Sequence, residues 1–88
     1  MSNKIHEVEI VKRDDAYLYL NVDQQLYRIR WLNCSSKLAG AKQTEREYIE
    51  VSPSGYGLHW LLIDEDLAVT SLLADAEKLA DELVANPS

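Results

Sequence analysis

The sequence predicts a small α+β domain: a three-stranded antiparallel β-meander and a β-hairpin, packed by one short helix and a C-terminal amphipathic helix. Three observations lead to this prediction. Apolar and polar residues alternate with a period of two over the first third of the chain, which is typical of half-buried strands. A second alternating segment follows the turn residues 52–55. Near the end of the chain, leucines and alanines recur at helical spacing.

The composition is that of an ordinary globular domain, and it limits the kinds of partner. The 88 residues are 47% hydrophobic and 27% charged, with a net charge of −6 and an isoelectric point near 4.7. A chain of this length can form one core, so we expect a single domain over residues 1–88, with its core at about 4–85. The acidic balance argues against nucleic-acid binding by the whole surface, which needs a basic footprint. A protein partner, a small ligand or self-association fits better.

Cysteine use and hydropathy indicate a compartment. Cys34 is the only cysteine, so no intrachain disulfide is expected. Residues 1–4 lack the apolar segment of a signal peptide. The longest apolar run, residues 60–63, is far too short to span a bilayer. We therefore expect a cytoplasmic protein without membrane association.

The second hairpin of the meander has a register that the apolar pattern defines. A two-residue turn at residues 23–24 places Leu20 opposite Tyr27 and Leu18 opposite Ile29. A shift of one residue would place these apolar side chains against arginines, which a half-buried sheet does not tolerate. The pattern therefore predicts one buried face for these two strands.

The first hairpin is predicted in the same way. A three-residue loop over residues 13–15 places Ile10 beside Leu18 and Val8 beside Leu20. Both pairings agree with the same buried face.

The opposite face of the meander is the leading candidate binding surface. The predicted register places Glu9, Tyr19 and Arg28 in one row and Val11, Tyr17 and Arg30 in the next. Tyr and Arg are enriched in interface hot spots, and an Arg over a Tyr ring adds a cation–π contact. We call Tyr17, Tyr19, Arg28 and Arg30 the meander face. The ordinary alternative is a solvated outer face that limits aggregation.

Two helical turns are expected after the meander. Ser35 or Ser36 caps a short helix that Gly40 weakens. Thr44 and Glu47 have the spacing of a capping box and predict a second turn.

A hairpin follows these turns. The pattern predicts a strand over residues 49–51, a turn at 52–55 and a return strand over 56–62. Both faces of the return strand are largely apolar, so it is expected to be central or covered on its second face. Trp60 is a core anchor, and His59 points to the opposite face.

The last predicted element is an amphipathic helix. Its N-cap is Thr70, it ends at residues 86–87, and its apolar positions are Leu72, Leu73, Ala76, Leu79, Ala80, Leu83 and Val84. Packing on the sheet is its expected role, because a small core needs the apolar stripe. A seam for self-association is the alternative.

The densest acidic residues, Asp64, Glu65 and Asp66, are predicted to start a helix, where they satisfy free N–H groups and the positive end of the helix dipole. Oxygen ligands at this spacing can also hold a divalent cation, although the pattern of a calcium-binding loop is missing. His59 is expected to be a half-buried, paired residue. Cys34 and His59 could in principle act as a thiol nucleophile and its base, but no sequence signature of such a pair flanks Cys34. We expect no catalytic residue, no metal ligand and no cofactor.

A string of Gly-x-Gly-x-His-Trp-x-x-x-Asp-Glu-Asp-Leu runs from Gly55 to Leu67. It is preceded by Leu38, Ala39, Ala41, Thr44 and Glu45 and followed by Leu72 and Leu73. On these residues the chain resembles the domain of unknown function 2442 family of small prokaryotic proteins, and the meander fits the N-terminal part of that family. Leu61 is a departure, since the family usually has Pro there.

The resemblance implies a small α+β domain without an established activity. Some members of the family look like one half of a toxin–antitoxin gene pair, and others carry a helix-turn-helix after this domain. The resemblance therefore favours a protein-binding role.

The leading hypothesis is a non-catalytic binding module, antitoxin-like, that binds a small basic protein or a second copy of itself through the meander face. His59, Asp64 and Asp66 form the second candidate surface. One alternative is single-stranded nucleic-acid binding, in which the tyrosines stack on bases and the arginines contact phosphates. Another is a metal-binding or enzymatic site around His59, Asp64 and Asp66.

Overall fold

The computed structural model describes residues 5–79 and has the predicted α+β fold class. Its elements are β1 (Val8–Arg13), β2 (Tyr17–Val22), β3 (Gln25–Arg30), α1 (Trp31–Cys34), α2 (Ser36–Ala39), α3 (Gln43–Arg46), β4 (Ile49–Val51), β5 (Gly57–Trp60), β6 (Glu65–Ala68), α4 (Val69–Ala74) and β7 (Glu77–Leu79). They form two antiparallel sheets with strand orders β1-β2-β3-β7 and β4-β5-β6. None of the helices in this part of the chain is long and apolar enough to cross a membrane.

The β2–β3 hairpin has the predicted register. Leu20 lies opposite Tyr27 and Leu18 opposite Ile29. Asp23 and Gln24 form the two-residue turn with φ angles of 51° and 71°. Two successive positive φ values are those of the turn type that matches the twist of a hairpin.

The predicted pairing of β1 is wrong by two residues. Ile10 lies opposite Leu20, and Val8 lies opposite Val22. A bulge between Ile10 and Lys12 inserts one extra residue into β1. As a result Lys12, not Glu9, lies beside Tyr19.

The core contains buried residues from both sheets and from α1, α2 and α4. They are Leu18, Leu20, Val22, Ile29, Trp31, Leu38, Leu58, Trp60, Val69 and Leu72. The rings of Trp31 and Trp60 meet edge to face, with 6.4 Å between their centroids. Nε1–H of Trp31 donates a hydrogen bond to the carbonyl oxygen of Asp14 at 2.7 Å. The alternating strand pattern thus places its apolar side chains in one core.

The short helices begin where local hydrogen bonds allow. The Ser35 hydroxyl accepts from the Leu38 N–H at 3.1 Å and caps α2, as predicted. The predicted capping box of Thr44 and Glu47 is wrong, because α3 begins after Lys42, whose N–H donates to the Glu45 carboxylate at 2.9 Å.

The prediction of a long C-terminal helix is wrong over residues 75–79. The helix α4 ends at Ala74, and its N-cap is Ala68 rather than Thr70. Strand β7 follows and pairs with β3, because the free edge of β3 offers a ladder of backbone hydrogen bonds that local periodicity does not reveal. The remaining predicted helical positions, Ala80, Leu83, Val84 and the end at 86–87, lie outside the described residues.

The acidic run does not start a helix. Strand β5 ends at Trp60, residues 61–64 turn, and Glu65 and Asp66 begin β6. The return strand is therefore shorter than predicted, although it is the central strand of its sheet as expected. Asp64 adopts φ 52°, a conformation suited to a tight turn.

Two glycines of the matching string permit close approach of backbones. Gly55 has φ 76°, and a Cβ there would overlap the carbonyl oxygen of His6. A Cβ on Gly57 would lie 2.8 Å from the carbonyl oxygen of Leu67. The fold thus requires glycine at these two positions of the string.

Gly55→Ala is expected to destabilise the protein by about 2 kcal/mol or more, because it adds strain at positive φ to a backbone overlap. Gly40→Ala is the matched control. Its Cβ would lie in ordinary contact with the Ser36 carbonyl oxygen, at 3.7 Å, so its effect should stay within about 1 kcal/mol. Urea unfolding of both variants measures the change in stability. Equal stabilities would contradict the close backbone approach at Gly55.

Candidate functional site

The structure brings the four residues of the meander face together. Tyr17 lies opposite Arg30, and Tyr19 lies opposite Arg28, on neighbouring strands. The guanidinium carbon of Arg28 is 4.3 Å from the ring centroid of Tyr17, and that of Arg30 is 5.6 Å away. The two tyrosine rings are 6.0 Å apart. These contacts match the predicted cation–π arrangement.

Arg28 is held in place by Glu77, which the sequence pattern predicted to lie on the C-terminal helix. Its Nε donates to the carboxylate of Glu77 on β7 at 2.6 Å. This hydrogen bond lowers the pKa of Glu77 and raises the pKa of Arg28. Only the pairing of β7 with β3 reveals this contact, since Glu77 lies 49 residues from Arg28 in the chain.

The meander face is locally rich in cations although the chain is acidic. Lys12 lies with its Nζ 5.4 Å from the ring centroid of Tyr19, as a third cation beside Arg28 and Arg30. A shallow cleft of about 230 Å³ lies against this surface, lined by Tyr17, Arg28, Arg30, Asn33, Asp75, Ala76 and Glu77. The surface offers aromatic faces and positive charge within one small area.

The second candidate surface also forms. Antiparallel pairing places His59 opposite Asp66 on one side and opposite Glu50 on the other. The Nδ1 of His59 lies 2.7 Å from a carboxylate oxygen of Asp66. His59, Asp64 and Asp66 each offer one ligand atom, and these atoms lie within 4.8 Å of one another. We call these three residues the His59 cluster.

A groove lies beside the His59 cluster. Its volume is about 580 Å³, within the range of small-molecule sites. Residues from all three strands of the second sheet and from the β4–β5 loop line it: Glu50, Val51, Ser52, Pro53, Tyr56, Gly57, Leu58, His59, Asp66, Leu67 and Ala68. The groove thus has acidic residues and His59 among an otherwise largely apolar lining.

Cys34 is poorly suited to act as a nucleophile. Its side chain is largely buried, and burial raises the pKa of its thiol to about 12. It is not a member of the His59 cluster. The thiol therefore stays protonated at neutral pH.

A second His–Asp pair lies at one end of the first sheet. His6 Nδ1 is 2.8 Å from the carboxylate of Asp23, which also accepts the Glu7 N–H at 3.0 Å. The backbone hydrogen bond from Glu7, together with His6, lowers the pKa of Asp23. This pair ties the segment before β1 to the β2–β3 turn.

Comparison with known proteins gives a match to one family, described as protein of unknown function (DUF2442), over residues 11–78. Neither the curated proteins nor the solved structures contain a match to the chain.

Native Cys34 is expected to react with a disulfide reagent at pH 8 at least roughly tenfold more slowly than the urea-unfolded chain, because its thiolate is scarce. The chain has one cysteine, so the released thiol reports this residue alone. Equal rates in the native and unfolded states would contradict the buried thiol.

Glu77→Gln is expected to lower the stability at pH 7, and the difference from the wild type should shrink at acid pH. The pKa of Glu77 is lower in the folded state than its ordinary value of 4.5. Its contribution is therefore present above about pH 4.5 and is lost as the pH falls through the folded-state pKa. Urea midpoints between pH 7 and pH 3 measure this.

Glu47→Gln is the control for that series, because Glu47 is exposed and its carboxylate forms no hydrogen bond or ion pair with the described residues. A difference between wild type and Glu77→Gln that stays constant with pH would contradict the Arg28–Glu77 pair.

Proposed function

The chain belongs to the DUF2442 family, and on that premise we propose that it is a non-catalytic protein-binding module that uses the meander face. The observation that carries the proposal is the position of Arg28, 4.3 Å from the ring of Tyr17 and bonded to Glu77. Tyr and Arg dominate binding energy at interfaces. Here they already contact one another in the free chain.

Order in the free protein matters for affinity. Fixing a long side chain on binding costs about 0.5–1.5 kcal/mol. Arg28 is held by Glu77, and Tyr17 lies half-buried between two arginines. A partner that contacts them would lose less conformational entropy than on a surface of free side chains.

The partner we propose is a small basic protein, in an antitoxin-like pair in the cytoplasm of a prokaryotic cell. The net charge of −6 attracts a basic protein over long range and speeds its encounter. Contact at the meander face then depends on tyrosine rings and on arginines that meet carboxylates or aromatic groups of the partner. Long-range charge and local contact therefore have separate roles.

Single-stranded nucleic acid is a second candidate ligand for the same face. The two rings 6.0 Å apart and the nearby Lys12, Arg28 and Arg30 are residues that stack on bases and contact phosphates. Fluorescence anisotropy with a 15-nucleotide single strand at low ionic strength tests it. Binding that falls steeply with salt would favour it over the protein partner.

The protein encoded by the neighbouring gene is the first partner to test, by isothermal titration calorimetry. Tyr17→Ala is expected to raise the Kd at least about tenfold, equivalent to about 1.4 kcal/mol. Arg30→Ala should act in the same direction, because it removes the guanidinium that contacts the Tyr17 ring.

Tyr48→Ala and Arg13→Ala are the matched controls. Both residues are exposed and lie outside the meander face, and Tyr48 is 56% exposed. Both variants should bind within about twofold of wild type. The proposal fails if the neighbouring protein does not bind, or if the controls weaken binding as much as Tyr17→Ala.

A further inference from the structure

We infer that the His59 cluster binds a divalent transition-metal ion, with open coordination positions that face the groove beside it. The cluster lies on the second sheet, whereas the meander face lies on the first. The inference therefore does not depend on the proposed protein-binding function. It is supported by the surroundings of the acids, the donor types, the distances and the adjoining space.

The hairpin leaves these acids without the structural role that a helix start would give them. Asp64 lies in the turn before β6, and its carboxylate accepts no hydrogen bond from residues 5–79. Within the same range, the Asp66 carboxylate bonds only to His59. Glu50 adds a third acid on the other side of the imidazole. The Lys37 ammonium, 3.3 Å from the Asp64 carbonyl oxygen, offsets part of this negative charge, and a divalent cation would offset the rest.

The distances are close to those that a shared ion requires. Ligands about 2.1 Å from one tetrahedral ion are about 3.4 Å apart, and the three ligand atoms of the cluster lie within 4.8 Å of one another. Side-chain rotations that move these atoms by roughly 1 Å would bring them to a common ion. The side chains of His59 and Asp66 are 33% and 77% exposed, so rotation is not blocked by core packing.

The donor set selects the class of metal. One imidazole and two carboxylates suit Zn²⁺, Mn²⁺ or Fe²⁺, whereas Mg²⁺ and Ca²⁺ prefer oxygen ligands alone. Three protein ligands leave positions for water or a small molecule, as in metal sites that bind exchangeable ligands. The groove of about 580 Å³, which His59 and Asp66 line, provides that space.

Titration of the full chain with ZnCl₂ by isothermal calorimetry tests the site, with MgCl₂ as the comparison. One Zn²⁺ per chain should bind, and Mg²⁺ should bind at least about tenfold more weakly. In NMR spectra, MnCl₂ should broaden the backbone signals of His59, Asp64 and Asp66 before those of the rest of the chain.

His59→Gln and Asp64→Asn should each weaken Zn²⁺ binding at least about tenfold. Asn tolerates positive φ, so Asp64→Asn keeps the turn at this position and separates lost ligation from lost folding. His6→Gln is the matched control, because His6 pairs with Asp23 at 2.8 Å but belongs to no cluster of three ligands within residues 5–79.

His6→Gln should bind Zn²⁺ within about twofold of wild type. The inference is overturned if Zn²⁺ does not bind at one ion per chain, or if Mg²⁺ binds as tightly as Zn²⁺. It is also overturned if His59→Gln and Asp64→Asn bind like wild type, or if His6→Gln weakens binding equally.

Discussion

The contact between Trp31 and Trp60 is the point on which the fold depends, because it joins the end of the first sheet to the second sheet. Trp31 follows β3 directly, Trp60 ends β5, and both side chains are almost fully buried. The Trp31 indole is fixed by the carbonyl of Asp14, and the guanidinium of Arg46 lies 5.3 Å from its ring centroid. An edge-to-face pair adds about 0.5–1.5 kcal/mol beyond its buried area. The β1–β2 loop, α3 and both sheets are therefore joined at one place.

This core determines which side chains remain available for binding. Alternation along β2 buries Leu18 and Leu20 and turns Tyr17 and Tyr19 to the other face. The same alternation along β5 buries Trp60 and leaves His59 half-exposed. Each sheet thus contributes one face to the core and one face that carries polar and aromatic groups. The meander face follows from strand geometry alone, whereas the second candidate surface also needs Asp64 from the turn between β5 and β6.

Sequence patterns predict those features that depend on near neighbours in the chain. The turn at residues 23–24 and the apolar alternation were sufficient for the β2–β3 register, and hence for the cation–π contacts of Tyr17. The bulge before Lys12 could not be predicted, because Val11 fits either face of a strand. Glu77 and the strand it begins were missed, because a long-range ladder overrides helical spacing. The turn at residues 61–64 carries three apolar residues and no glycine or proline, so the hairpin that pairs His59 with Asp66 was missed, although the sequence groups these residues with Asp64 as a candidate surface.

Both sheets share one core at the two tryptophans. Nuclear Overhauser spectroscopy of the full chain can check this arrangement, since it reports pairs of protons that lie close together in space. Cross-peaks are expected between the indole rings of Trp31 and Trp60, which are 6.4 Å apart at their centroids. The buried Trp60 indole N–H should also exchange slowly with solvent. Rings that show cross-peaks only within their own sheets, with a rapidly exchanging Trp60 indole, would contradict the shared core.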